Sequence, residues 1–252
     1  MAERGLGVAV GIPGLALDGM PLFDRFRFQL EAGRWTCLLG PSGIGKTTLL
    51  RVVAGLQPGG LVLADDGSDL RRRIAWMAQQ DLLLPWLSVL DNVLLGPRLR
   101  GASRAELRRL RAPAQALLAR VGLGDRADSL PATLSGGMRQ RAALARTLLE
   151  DRPVVLMDEP FSALDAITRH RLQDLAAELL AGRTILLVTH SPLEALRLGH
   201  RVFVLSGRPA QARGPLLPRG APPRDVADPT LIAHEAELLG ELTRSAALQE
   251  AS

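Results

Sequence analysis

GPSGIGKTT, Gly40 to Thr48, contains Lys46, the only lysine in a chain whose 31 basic residues are otherwise all arginine. Gly40, Gly45, Lys46 and Thr47 meet the pattern G-x-x-x-x-G-K-[ST], and the flanks supply the context that pattern needs. The apolar run from Trp35 to Gly40 reads as a buried strand entering a turn, and TTLLRVVAGL reads as a helix stopped near Gly55. In a strand–turn–helix of this kind the loop Gly40, Pro41, Ser42, Gly43, Ile44, Gly45 and on to Thr48 wraps a phosphate chain. Converging backbone N–H groups and the positive helix end attract its oxygens. Lys46 reaches the outer phosphates and the Thr47 hydroxyl is placed for Mg²⁺. A compact ammonium on a slender stem fits beneath phosphates where a broad guanidinium fork would not, which explains the solitary lysine.

Working outward, IAWM (Ile74–Met77), VVLMD (Val154–Asp158), TILLVT (Thr184–Thr189) and VFVL (Val202–Leu205) repeat the short, continuously apolar pattern. Such strands belong inside a parallel sheet covered by helices on both faces, so the fold class is α/β. VVLMDEP ends its strand on two acids, where a parallel sheet offers its carboxyl edge to ligands. Asp158 is placed to hold Mg²⁺ through water, and Glu159, pointing the other way, to orient and deprotonate an attacking water.

Between Ser88 and Glu150 the pattern turns helical. Ser103 and Glu106 have capping-box spacing ahead of an apolar stripe through Leu107, Leu110, Leu117 and Leu118, which Pro113 is expected to kink or split. Beyond Ser206 the chain is rich in Pro, Gly and Arg until Asp228 and Pro229 open a last helix toward Leu239.

At 252 residues and 47% hydrophobic composition the chain can bury a sizeable core, as one large domain or two small ones. A single cysteine, Cys37, excludes an internal disulfide framework and points to a reducing compartment. The apolar N-terminal stretch is interrupted by Gly11, Pro13, Gly14 and Asp18, and no other run approaches the roughly 20 apolar residues of a spanning helix. The net charge of +5 fits a solvated basic surface, and the arginine-rich Arg98–Arg111 segment does not by itself choose between a lipid and a nucleic acid.

LSGGMRQRAALARTL, Leu134 to Leu148, stands directly upstream of the acidic strand, and with it the chain resembles the ATP-binding subunits of ABC transporters from about Leu15 to Leu239. The resemblance implies a P-loop NTPase fold with a RecA-like, mostly parallel core (about 1–87 and 150–206), an antiparallel β portion near the N-terminus, an inserted helical subdomain (about 88–149) and a tail with a helix (about 207–252), in one domain spanning 1–252. It implies ATP and Mg²⁺ as ligands, with Thr47, Gln79 and Asp158 on the metal side. Ser135, Gly136, Gly137 and Gln140 would complete the ATP site of a partner subunit in a head-to-tail pair. Gln79 matches the glutamine that senses the metal and the attacking water; Gln80 is its near rival, and the count back from Pro85 favours Gln79. Ser162, Ala163, Leu164 and Asp165 resemble the loop that crosses the dimer interface. His190 resembles the switch histidine that contacts the γ-phosphate and holds the catalytic acid, Glu159. The chain departs from the family at one point: it has no tyrosine, and Leu17 stands where an aromatic residue usually stacks on adenine, with Phe23 as the alternative.

DLLLPWLSVLDNVLLG and the tail VFVLSGRPAQARGPLLPRGAPPRDVADP resemble the nitrate, sulfonate and taurine importer group, which includes importers of thiamine-pyrimidine precursors. The implied partners are a second ATPase subunit, in a homodimer or a mixed pair, a transmembrane permease and, through it, a periplasmic solute-binding protein; no nucleic acid is expected. The implied place is the cytoplasmic face of the inner membrane, held peripherally. Leu82, Leu83, Leu84 and Trp86 are too apolar for a bare loop, and either dock on the permease or pack into the helical subdomain. The competing class is a soluble ABC ATPase acting on nucleic acid or ribosomes. Its DNA-repair members carry long coiled coils and its ribosomal members two ATPase units, and this chain shows neither. A non-catalytic ATP-binding subunit is a further rival, disfavoured because every catalytic position is filled.

Overall fold

Alternation by two along each central strand builds the molecule, a computed structural model that describes residues 5–250; residues 1–4 and 251–252 of the single-domain assignment lie outside the described residues. A six-stranded sheet has the order β5-β6-β7-β3-β8-β9, where β3 is Trp35–Leu39, β5 Ile74–Met77, β6 Val154–Asp158, β7 Thr184–Val188, β8 Arg201–Ser206 and β9 Gln211–Leu216. Every pairing is parallel except β8 with the edge strand β9. All residues of β3, β6 and β7 are buried. Trp35, Cys37, Leu39, Val155, Met157, Ile185 and Leu187 enter one core, while Leu38, Val154, Leu156, Leu186 and Val188 enter the other. Two covered faces explain why these strands read as unbroken apolar runs.

The second core is closed by a three-stranded antiparallel sheet, β2-β1-β4 (β1 Val8–Leu17, β2 Met20–Leu30, β4 Leu61–Ala64), and by helix α1, Lys46–Val53. β1 and β2 meet through Asp18 and Gly19, both at positive φ (51° and 80°), the backbone that a two-residue Asp-Gly hairpin turn requires.

The first core receives the helical insertion: α2 Val89–Val93, α3 Leu95–Leu99, α4 Arg104–Arg120 and α5 Gly136–Leu149. The capping box forms, with Ser103 Oγ accepting from Glu106 N and Glu106 Oε2 accepting from Ser103 N. Pro113 does not split the helix: α4 runs unbroken through it, and Ala114 and Leu118, which follow it, are buried. α6 Ala166–Leu179 and α7 Pro192–Leu198 follow β6 and β7. β9 extends the sheet into the segment expected to be tail, and the last helix, α8 Pro229–Glu250, continues well past Leu239, seating Leu231 and Leu238 in the first core.

Strand order sets the site. The carboxyl ends of β5, β6, β7 and β3 lie side by side, so Gln79, the Asp158–Glu159 pair, His190 and the phosphate loop share one sheet edge.

Candidate active site

The loop from Gly40 enters α1 through Gly45, the N-cap, at φ 106°. A Cβ on Gly45 would lie 2.9 Å from Phe23 Cζ, so both conformation and space demand glycine. Lys46 is buried and its Nζ donates to Gly40 O (2.7 Å) and Pro41 O (2.8 Å), which holds the ammonium across the loop mouth. Burial lowers its pKa, and the nearby Glu159 and Asp158 carboxylates work against that shift. Leu17, Leu22, Ser42, Gly43, Gly45, Lys46, Thr47, Thr48, Gln79 and Glu159 line one depression of about 340 Å³. Leu17 is half exposed at its rim, whereas Phe23, on the covered face of β2, is buried against Phe26.

Thr47 Oγ1 donates to Asp158 Oδ2 at 2.7 Å, while Asp158 Oδ1 is buried without a hydrogen-bond partner. Burial raises the Asp158 pKa; the Thr47 bond lowers it, the Glu159 charge raises it, and Lys46 and Arg51 lower it. Glu159 follows at φ 50°, a left-handed conformation that costs a non-glycine residue about 1–3 kcal/mol. Its amide donates to Val188 O (2.8 Å), and its carboxylate has partners different from the Thr47 hydroxyl that bonds Asp158. Glu159 Oε2 accepts from Gln79 Nε2 (3.1 Å) and meets His190 Nε2 at 2.8 Å. It is therefore Gln79, of the two candidate glutamines, that reaches the acid, and three elements converge on one oxygen.

Ser135 caps α5 by accepting from Met138 N (3.2 Å), leaving Gly136 and Gly137 in its first turn. A Cβ on Gly137 would come within 3.1 Å of Ala163 O, so this turn lies hard against the Ser162–Asp165 loop. Gln140 departs from expectation. Its amide is buried and spent within its own subunit, donating to Glu159 O (2.9 Å) and accepting from Ala163 N (2.9 Å), rather than facing a partner's nucleotide. One turn beyond the glycines, α5 has already entered the core. Ser162 Oγ donates to Glu159 O (3.1 Å), Leu164 is buried, and Asp165 caps α6 by accepting from Thr168 N (2.9 Å), the bond that lowers its own pKa.

A family model describing ABC transporters matches residues 23–162. The chain belongs to the ABC transporter family. The protein is thus the ATP-binding, ATP-hydrolysing subunit type of that family. It is similar to an uncharacterized ABC transporter ATP-binding protein of Haemophilus influenzae, 44% identical over 90% of this chain and 95% of the relative. It is also similar to the aliphatic sulfonates import ATP-binding protein SsuB 1 of Rhodococcus jostii, 46% identical over 94% of this chain and 93% of the relative. SsuB 2 of Burkholderia cenocepacia is 44% identical over 88% and 82% of the two chains. Among solved structures, the dimeric post-hydrolysis state of the cassette MJ0796 bound to ADP and Pi superposes with a TM-score of 0.72 at 28% identity, covering 84% of this chain and 99% of that one.

In this ABC ATPase several supporting residues carry no motif and were missed in the sequence. Arg169 donates to Phe161 O (3.3 Å) and Leu164 O (2.7 Å), pinning the loop that Gln140 also holds. Beneath the His190 turn, Gln173 Nε2 donates to Glu194 Oε2 (3.1 Å), Glu194 N to Ser191 Oγ (3.3 Å) and Ser191 N to Thr189 Oγ1 (3.1 Å). Burial pushes the Glu194 carboxyl up to about 7; bonds from Thr189 and Gln173 and the Arg169 charge oppose it, and Glu159 adds to it. The apolar segment after Gln79 divides. Leu83 is buried, while Leu82 and Trp86 stand 57% and 71% exposed. Asn92, fully buried, accepts from Leu84 N and donates to the carbonyls of Leu84, Leu87 and Ser88, and Arg146 donates to those of Asp81 and Leu82. The exposed pair therefore rides on a rigid loop.

Proposed function

We propose that this ABC ATPase powers an importer of nitrate-, sulfonate- or taurine-type solutes, with two ATPase subunits closing head to tail around ATP. The observation that carries the reading is the convergence of Gln79 and His190 on Glu159 Oε2 beside the phosphate loop. Lys46 exchanges the Gly40 and Pro41 carbonyls for outer phosphate oxygens, and loop amides hold the rest of the chain. Leu17 contacts the base. Glu159, held at Oε2, uses Oε1 to orient water and take its proton. His190 keeps the acid in place and touches the γ-phosphate. Ser135, Gly136 and Gly137 serve the partner's nucleotide, and Ser162–Asp165 crosses the interface.

The donor set suits Mg²⁺: the Thr47 hydroxyl, the Gln79 amide oxygen and Asp158, whose buried Oδ1 has no protein partner, are all hard oxygen ligands. When bound, Mg²⁺ neutralises charge developing between the outer phosphates.

Leu82 and Trp86 dock on a transmembrane permease fed by a periplasmic solute-binding protein, which places the subunit at the cytoplasmic face of the inner membrane. Among the described residues no helix is long and apolar enough to cross a membrane. The relatives named for aliphatic sulfonate import support a sulfonate as solute, and support an importer over a nucleic-acid-acting ATPase. In the deciding experiment, Glu159→Gln binds Mg-ATP, turns over at least about 100-fold more slowly and elutes as a dimer in size-exclusion chromatography. A monomer with ATP bound overturns the sandwich.

A further inference from the structure

Beside the phosphate loop a second cleft of about 130 Å³ opens between the β1–β2 hairpin end and the turn after β8. Its walls include Leu17, Asp18, Met20, Leu22, Gly43 and Arg208. Leu17, Leu22 and Gly43 also line the phosphate depression, so the cleft adjoins the space where the phosphates of a nucleotide would lie. Among the described residues no aromatic ring lines the cleft. Leu17 and Met20 offer exposed aliphatic surface instead. Arg208 is held at the wall through its turn, because Ala210 N donates to Leu22 O at 2.8 Å and ties that turn to β2. Among the described residues neither the Arg208 guanidinium nor the Asp18 carboxylate has a protein partner.

We propose that Arg208 takes the place of the missing aromatic ring as the base platform, and that the cleft therefore accepts guanine as readily as adenine. This rests on the phosphate-loop reading above. A guanidinium plane stacks on the face of either purine without reading its edge. The Asp18 carboxylate can accept from adenine N6–H₂ or from guanine N1–H and N2–H₂, so each purine finds a partner. Aliphatic contact scales with area and does not read base identity, while the smaller pyrimidine ring loses part of that area.

The test is calorimetry with Mg²⁺ present on the intact protein, titrating ATP, GTP, CTP and inorganic tripolyphosphate into the unaltered chain, Arg208→Ala and Leu17→Tyr. ATP and GTP should bind within about fivefold of each other and CTP at least about tenfold more weakly. Arg208→Ala should weaken both purine nucleotides about five- to tenfold and leave tripolyphosphate unchanged; Leu17→Tyr should tighten both by about fivefold. ATP binding more than about 20-fold tighter than GTP, or purine affinities indifferent to Arg208→Ala, overturns the inference while leaving the phosphate site intact. Folded protein that binds neither ATP nor tripolyphosphate overturns the phosphate-loop reading and this inference with it.

Discussion

The acid edge and the base cleft lie on either side of the same loop and are built on opposite terms. At the acid edge, polar groups are fixed by directional bonds from separate strands: Gln79 and His190 on Glu159, Thr47 on Asp158, Gln140 on the Glu159 carbonyl. In the cleft beside Leu17, aliphatic side chains dominate, and Arg208 and Asp18, without side-chain partners among the described residues, are not fixed by directional bonds. Proton transfer falls off steeply with misplacement, whereas a base needs only contact. A single chain thus concentrates geometry where bonds break and spares it where the ligand is merely held.

The sharpest way to break this contrast is Lys46→Ala, which removes the ammonium from the phosphate depression that lies between the two regions. ATP affinity should fall by about 100-fold or more, since a charge pair at a partly shielded site is worth about 4 kcal/mol. Calorimetry showing a loss below tenfold would mean that backbone amides alone grip the phosphates. His190→Ala should next separate holding from chemistry, slowing turnover by about 100-fold while ATP affinity falls by no more than about threefold; a fall in affinity as large as the fall in turnover would make its γ-phosphate contact, rather than its hold on Glu159, the main role.

Glu194 extends the directional network beneath the acid edge, and its protonation gives that network a pH signature. Its carboxyl titrates near 7 in the folded protein against 4.5 ordinarily, so between those values the folded state holds the extra proton. Stability should therefore be highest below about pH 4.5 from this group and decline as pH rises to about 7, by at most about 3 kcal/mol. Glu194→Gln should flatten that slope in denaturant midpoints measured from pH 5 to 8; an unchanged slope removes Glu194 as its source. The smallest effect on the isolated subunit belongs to Trp86→Ala, within about 0.5 kcal/mol in stability and none in ATP affinity. Stimulation by the reconstituted permease should nevertheless be lost, and if it persists Trp86 does not dock.

The strands of the central sheet were legible because both faces are buried and the runs are unbroken, and the phosphate loop because its glycines and lysine serve local backbone geometry. Leucine-rich Asp81–Ser88 was ambiguous for the opposite reason. Whether Leu83 or Trp86 faces outward depends on Asn92, Arg139 and Arg146, which reach the segment from other helices. Gln140 misled because its motif neighbours face outward while its own position, one helical turn on, faces the core. β9 went unread because an edge strand with Gly214 and Pro215 inside it carries no apolar signature.

What the sequence by itself determined is the chemistry available: phosphate-cradling glycines, a lone lysine, two acids at a strand end, an S-G-G helix start and an arginine-rich surface. Each is legible because it depends on neighbours a few residues away. Only the tertiary structure decided that Gln79, Glu159 and His190 meet at one oxygen, that Glu194 is buried enough to keep a proton, and that Arg208 borders the cleft beside Leu17. Those facts follow from strand order and from which faces are covered, and contacts between residues tens to nearly two hundred positions apart exist only once the sheet has closed.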